Sequence, residues 1–136
     1  MIADNDSIAI NDMLDTGLLT ALDASSIDAF ADHERPQVLF FPGPKAVRRE
    51  AHDVAVALRE VLRDYGGGVH GGLLRDEDAR SPSERFRVSA TPCLVLLYGS
   101  DVLEVLPRVR DWAEYAAAFQ RYFGPVSRPL NGGARA

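Results

Sequence analysis

The feature that most constrains this chain is an unbroken apolar run that stops at a turn. Val38-Leu39-Phe40-Phe41 contains no polar residue, and Pro42-Gly43-Pro44-Lys45 follows at once. A continuous apolar run, unlike an alternating one, suits a central strand covered on both faces. Such a strand needs helices above and below it, and the next segment supplies one. Apolar residues recur at Val47, Ala51, Val54, Ala55, Leu58, Val61, Leu62 and Tyr65, in steps of three and four that define one buried stripe. Pro44 suits the first helical position, where no N–H is needed, with Gly43 near the cap. Gly66-Gly67-Gly68 ends the helix, because glycine takes left-handed angles without a Cβ penalty.

The remaining elements follow by the same rules. Residues 1 to about 10 are polar, and a weak helical pattern runs through Met13, Leu14, Leu18 and Leu19. Thr20-Ala21-Leu22 predicts a short edge strand. Ser25 with Asp28 resembles a capping box for a short helix through Ile27 and Phe30. Val69–Leu74 predicts a second central strand, and Ser81-Pro82-Ser83-Glu84 a short helix start. Pro92–Tyr98 and Asp101–Leu106 flank a tight turn at Gly99-Ser100 and predict an antiparallel pair. Asp111 with Glu114 opens a last helix, whose buried face reads as Trp112, Tyr115, Ala116, Phe119 and Phe123. The expected fold class is therefore α/β, a mixed sheet of about four to five strands with helices on both faces. The expected layout is an acidic N-terminal arm with a weak helix at 1–19, a folded domain at 20–124 and a flexible tail at 125–136.

At 136 residues the chain is long enough for one domain with a sizeable core. No apolar run approaches the ~18 residues of a membrane span. The N-terminus carries acids where a secretory leader carries positive charge, so the expected address is cytoplasmic. The net charge of −5 argues against nucleic acid as a partner. One cysteine allows no internal disulfide, and three scattered histidines (His33, His52, His70) show no metal-ligand spacing. No cofactor is implied. Residues 1–34 hold eight carboxylates and no Lys or Arg. Asp23, Asp28 and Asp32 belong to that segment, which reads either as a solvated arm or as an attraction for a basic peptide. Arg49 and Asp53, four residues apart, predict a surface ion pair.

From residue 20 onward the element order resembles that of thioredoxins. Three local features carry the likeness: the apolar strand leading into Gly43-Pro44, the phrase Phe86-x-Val88-x-x-x-Pro92, and the hairpin turn at Gly99. The resemblance implies a cis Thr91–Pro92 bond and an exposed backbone edge beside it. It also marks a loss, for Pro42 and Lys45 stand where a thioredoxin has its two cysteines. Thiol–disulfide exchange needs a thiolate at the attacking position, and neither residue has sulfur. Cys93 is the sole candidate redox thiol. Its apolar setting, Cys93-Leu94-Val95-Leu96-Leu97, favours a neutral packing residue. Lys45, the only lysine, reads either as a contact for an anionic partner group or as a solvated side chain.

Among thioredoxin-like chains without the dithiol, this one most resembles the HyaE/HupG type of nickel–iron hydrogenase expression proteins. The matching features are Phe40-Phe41-Pro42 without cysteines, Arg85-Phe86-Arg87-Val88, the strand from Pro92 to Gly99, and Trp112-Ala113-Glu114. The resemblance implies a non-catalytic maturation chaperone that binds the hydrogenase small-subunit precursor and its twin-arginine signal peptide, alongside other hydrogenase accessory proteins. Pro42, Lys45, Thr91 and Pro92 would lie at the binding surface, with Asp23, Asp28 and Asp32 serving the basic peptide. Two rival readings stay open: a single-cysteine thiol oxidoreductase or redox sensor using Cys93, and a structural or regulatory homo-oligomeric subunit.

Overall fold

A computed structural model describes residues 7–125. Asp4, Asp6 and, of the tail expected at 125–136, residues 126–136 lie outside those residues. The elements in chain order are α1 (Ile8–Asp15), β1 (Leu19–Ala21), α2 (Ile27–Ala31), β2 (Pro36–Phe41), α3 (Arg48–Asp64), β3 (His70–Leu73), α4 (Arg80–Arg85), β4 (Cys93–Tyr98), β5 (Asp101–Pro107) and α5 (Trp112–Phe123). The five strands form one sheet in the order β1-β3-β2-β4-β5. β1, β3 and β2 run parallel; β4 runs antiparallel to β2 and to β5.

The apolar run at 38–41 forms the centre of the sheet, and strand alternation sorts it into two cores. Val38 and Phe40 point to a layer shared with α1, α3 and α5, alongside Leu58, Leu62 and Phe119. Leu39 and Phe41 point to the opposite layer, where Phe30, Leu74 and Phe86 lie. β4 alternates likewise: Leu94 and Leu96 join the first layer, and Cys93, Val95 and Leu97 the second. Gln37 is the one fully buried polar side chain among the described residues, and its Nε2 donates to the Phe30 carbonyl at 2.7 Å.

Several local expectations need correction. α1 does not stand apart as an arm: Ala9, Ile10 and Met13 are buried in the first layer. Asp12 holds it there through Arg63 at 2.9 Å and Arg59 at 3.4 Å, both on α3. Trp112 is 49% exposed and does not belong to the buried face of α5, which is Tyr115, Ala118 and Phe119. It is the first residue of a helix whose start is fixed by the Asp111–Glu114 capping box, and it borders a small surface cavity that Val61 and Ala116 also line. The cap of α2 is Ser26, not Ser25, and its side chain makes no capping bond; the preceding turn is held by Asp23, whose Oδ1 accepts from the backbone N–H of Ser25 and of Ser26, each at 2.9 Å. α4 starts at Arg80, ahead of the expected Ser81 cap. Arg49 and Asp53 form no ion pair; Asp28 pairs instead with Arg85.

Candidate functional site

The carboxyl ends of the parallel strands gather the loops where the sequence places its missing redox motif. After Phe41 the chain does not enter α3 directly. Gly43 takes a left-handed φ of +87°, Pro44 is extended, and Lys45–Val47 makes one 3-10 turn before the α-helix begins at Arg48. Pro44 is therefore outside the helix, and Lys45 lies a turn ahead of the α-helical N-terminus. Position 43 is restricted to glycine by packing as well as by its φ. A Cβ on Gly43 would sit 2.4 Å from Thr91 Oγ1 and 2.6 Å from Thr91 Cβ. The 42–45 turn is thus packed onto the loop that carries Pro92, and strand register agrees by pairing Phe41 with Cys93.

Thr91–Pro92 is a cis peptide bond. The Pro92 carbonyl accepts from the Arg108 N–H at 2.6 Å, which ties this loop to the end of β5. The backbone N–H and C=O of half-buried Thr91 have no hydrogen-bond partner among the described residues. An unpaired edge of this kind can accept an extended peptide as an added strand. Val109 lies one residue past Arg108 and is 42% exposed. Arg87 and Arg108, with φ of 65° and 67°, flank the same loop in left-handed geometry, rare for residues with a side chain.

The expected site residues divide by exposure. Pro42 and Pro92 are buried and shape the loops from beneath; Lys45 is exposed and Thr91 half-buried, so these two reach the surface. The three acids do not share a face. Asp23 follows β1 and so lies at the same sheet end as Pro42 and Thr91. Hydrogen bonds from the Ser25 hydroxyl and the Ser26 and Ser25 N–H groups hold its pKa below the usual carboxylate value. Asp28 is committed to Arg85. Asp32 lies at the far end, beside the Tyr98–Asp101 hairpin. Sequence reasoning did not single out Val109 or Arg108, and quoted Arg87 only within a matching phrase; an apolar residue between two arginines just after a strand was the available signal.

Cys93 lies beneath this surface rather than on it. Its side chain is fully buried in the α2/α4 layer, and burial pushes the thiol up to about 11. Among the described residues no group of three His, Cys, Asp or Glu side chains is placed to hold a metal ion. No described helix is long and apolar enough to cross a membrane.

The family model described as "Hydrogenase-1 expression protein HyaE" matches residues 10–115. Hydrogenase expression/formation protein HupG of Rhizobium leguminosarum bv. viciae is 35% identical over 111 residues, covering 79% of this chain and 74% of its own length. Hydrogenase expression/formation protein HoxO of Cupriavidus necator is 32% identical, covering 79% of this chain and 69% of that one. In three dimensions the chain is similar to oxidised thioredoxin O2 from Arabidopsis thaliana, with a TM-score of 0.66 at 14% identity over 79% of this chain and 96% of the other.

Proposed function

This chain belongs to the HyaE family of hydrogenase expression proteins, with a thioredoxin-like fold, and from that premise we propose a non-catalytic chaperone role in nickel–iron hydrogenase maturation. The chain binds the small-subunit precursor in the cytoplasm, before export, and engages its twin-arginine signal peptide. Docking uses the sheet end that carries Thr91, the Gly43–Lys45 turn and Val109. The observation that carries this reading is the unpaired Thr91 backbone edge above a thiol that cannot reach a substrate. Extended peptide adds to the edge by main-chain hydrogen bonds, and Val109 gives it an apolar neighbour. Asp23 is the carboxylate at this end from the expected acidic set, and it serves the paired arginines of the leader. The rival oxidoreductase reading is disfavoured, because a thiol with a pKa near 11 is almost entirely protonated at neutral pH.

A pull-down with the small-subunit precursor, with and without its leader, at low and high salt tests the proposal. The expected result is recovery of the full precursor, weakened at high salt because exposed charges are screened. Failure to recover either form overturns the chaperone reading. Equal recovery of the leaderless form removes the signal peptide from it.

A further inference from the structure

The opposite end of the sheet holds a second cleft, unrelated to the cis-proline loop. It opens between α2 and the amino-terminal ends of β1 and β3, and its walls include Leu18, Phe30 and Val69. Three basic side chains converge there from separate segments: His33 after α2, Arg35 before β2, and His70 at the start of β3. Gly17 and Gly67 also line it, and a Cβ on either would meet nothing within 4 Å.

Arg35 is the informative residue. Its guanidinium lies over the Phe30 ring, 5.7 Å from the centroid, and is half-buried. It forms no ion pair with any described residue, and its Nε is buried without a hydrogen-bond acceptor. Four other arginines among the described residues are held by acids: Arg59 and Arg63 on Asp12, Arg85 on Asp28, Arg121 on Glu104. A guanidinium held against an aromatic face with no counter-ion is a fork awaiting an oxyanion. No carboxylate lines the cleft among the described residues. The charged and titratable groups facing it are Arg35, His33 and His70, whereas the α1–β1 turn contributes only Gly17 and Leu18, and β1 contributes Thr20.

We propose that this cleft binds a small ligand bearing an oxyanion, a carboxylate or a phosphate, with an apolar body laid against Phe30 and Leu18. Arg35 grips the oxyanion, His33 lines the cleft beside it, and His70 adds charge when protonated. Desolvation, then Arg35, then His33 depress the His70 pKa in the empty cleft. An anion offsets the last two effects, so binding takes up protons and tightens as pH falls. The site lies at the far end of the sheet from Thr91, so its occupancy is separable from precursor docking.

The test is an NMR titration of the full chain with benzoate and, separately, inorganic phosphate, following the Arg35 Nε–H and His70 ring signals at pH 6 and pH 8. The expected result is a saturable shift of both signals; for benzoate, whose own charge is the same at both pH values, the affinity should be on the order of tenfold tighter at pH 6. Benzoate binding more tightly than phosphate identifies a carboxylate on an apolar body; the reverse order identifies a phosphate. Arg35→Gln should abolish saturation. His70→Gln should keep binding but flatten the pH dependence, and it serves as the second variant if Arg35→Gln unfolds. No saturable shift with either anion, or equal shifts in folded Arg35→Gln, overturns the proposal.

Discussion

Cys93 and Gly43 decide what the cis-proline end can do chemically. Burial raises the Cys93 pKa from 9.0 to about 11, so its folded-state value lies above the unfolded one. The sign follows from linkage: the stability this group contributes is full below about pH 9 and is lost as pH rises toward about 11. Ellman's reagent at pH 7 should therefore modify native Cys93 at least ~100-fold more slowly than the urea-unfolded chain, and a comparable rate in both states would show the thiol to be reachable. Gly43 answers for geometry. Gly43→Ala combines a left-handed φ with a clash on Thr91, and it should cost about 2–4 kcal/mol in urea denaturation. A loss below about 0.5 kcal/mol would mean that the turn and the Thr91 loop are not in contact.

Elements were legible in proportion to the length and regularity of their pattern. The α3 stripe spans 17 residues and the β2 run is unbroken, so both were readable. The cap of α5 was readable too, because Asp111 and Glu114 have the spacing that closes a capping box. α1 was under-read because eight residues give only two turns, and its acids suggested a solvated surface. What fixes it is tertiary: Met13 is fully buried, and Asp12 reaches two arginines some fifty residues away. Trp112 was placed in the core by periodicity alone, although the first residue of a helix can sit on the apolar stripe and still lie beyond the sheet it packs on. Two tests follow at this scale. Met13→Ala should destabilise by about 2–4 kcal/mol in chemical denaturation, whereas a detached arm would show almost nothing. Trp112→Ala should change stability by less than about 1 kcal/mol; a larger loss would place the indole in the core.

At the scale of the molecule, the site was legible as a position and not as a surface. The resemblance to thioredoxins put residues 42–45 and 92 at one end of one sheet, and the packing of Gly43 on Thr91 agrees. Which atoms face outward was not legible, since Pro42 and Pro92 are buried and Thr91, Lys45 and Val109 are the groups presented. The acids looked like one feature because they are neighbours in sequence, yet strand direction sends Asp23 to one end of the sheet and Asp32 to the other. The two proposals thus sit at opposite ends of the sheet: peptide docking at the Thr91 edge, and oxyanion binding in the Arg35 cleft. The central claim is that the first end recognises the hydrogenase small-subunit precursor without thiol chemistry. Calorimetric titration of the precursor against the native chain and Val109→Asp tests it most directly, since Val109 is exposed and its replacement should leave the melting temperature nearly unchanged. The account predicts saturable binding by the native chain and at least ~tenfold weaker binding by Val109→Asp. Equal affinity in the two proteins, or no binding by either, would contradict it.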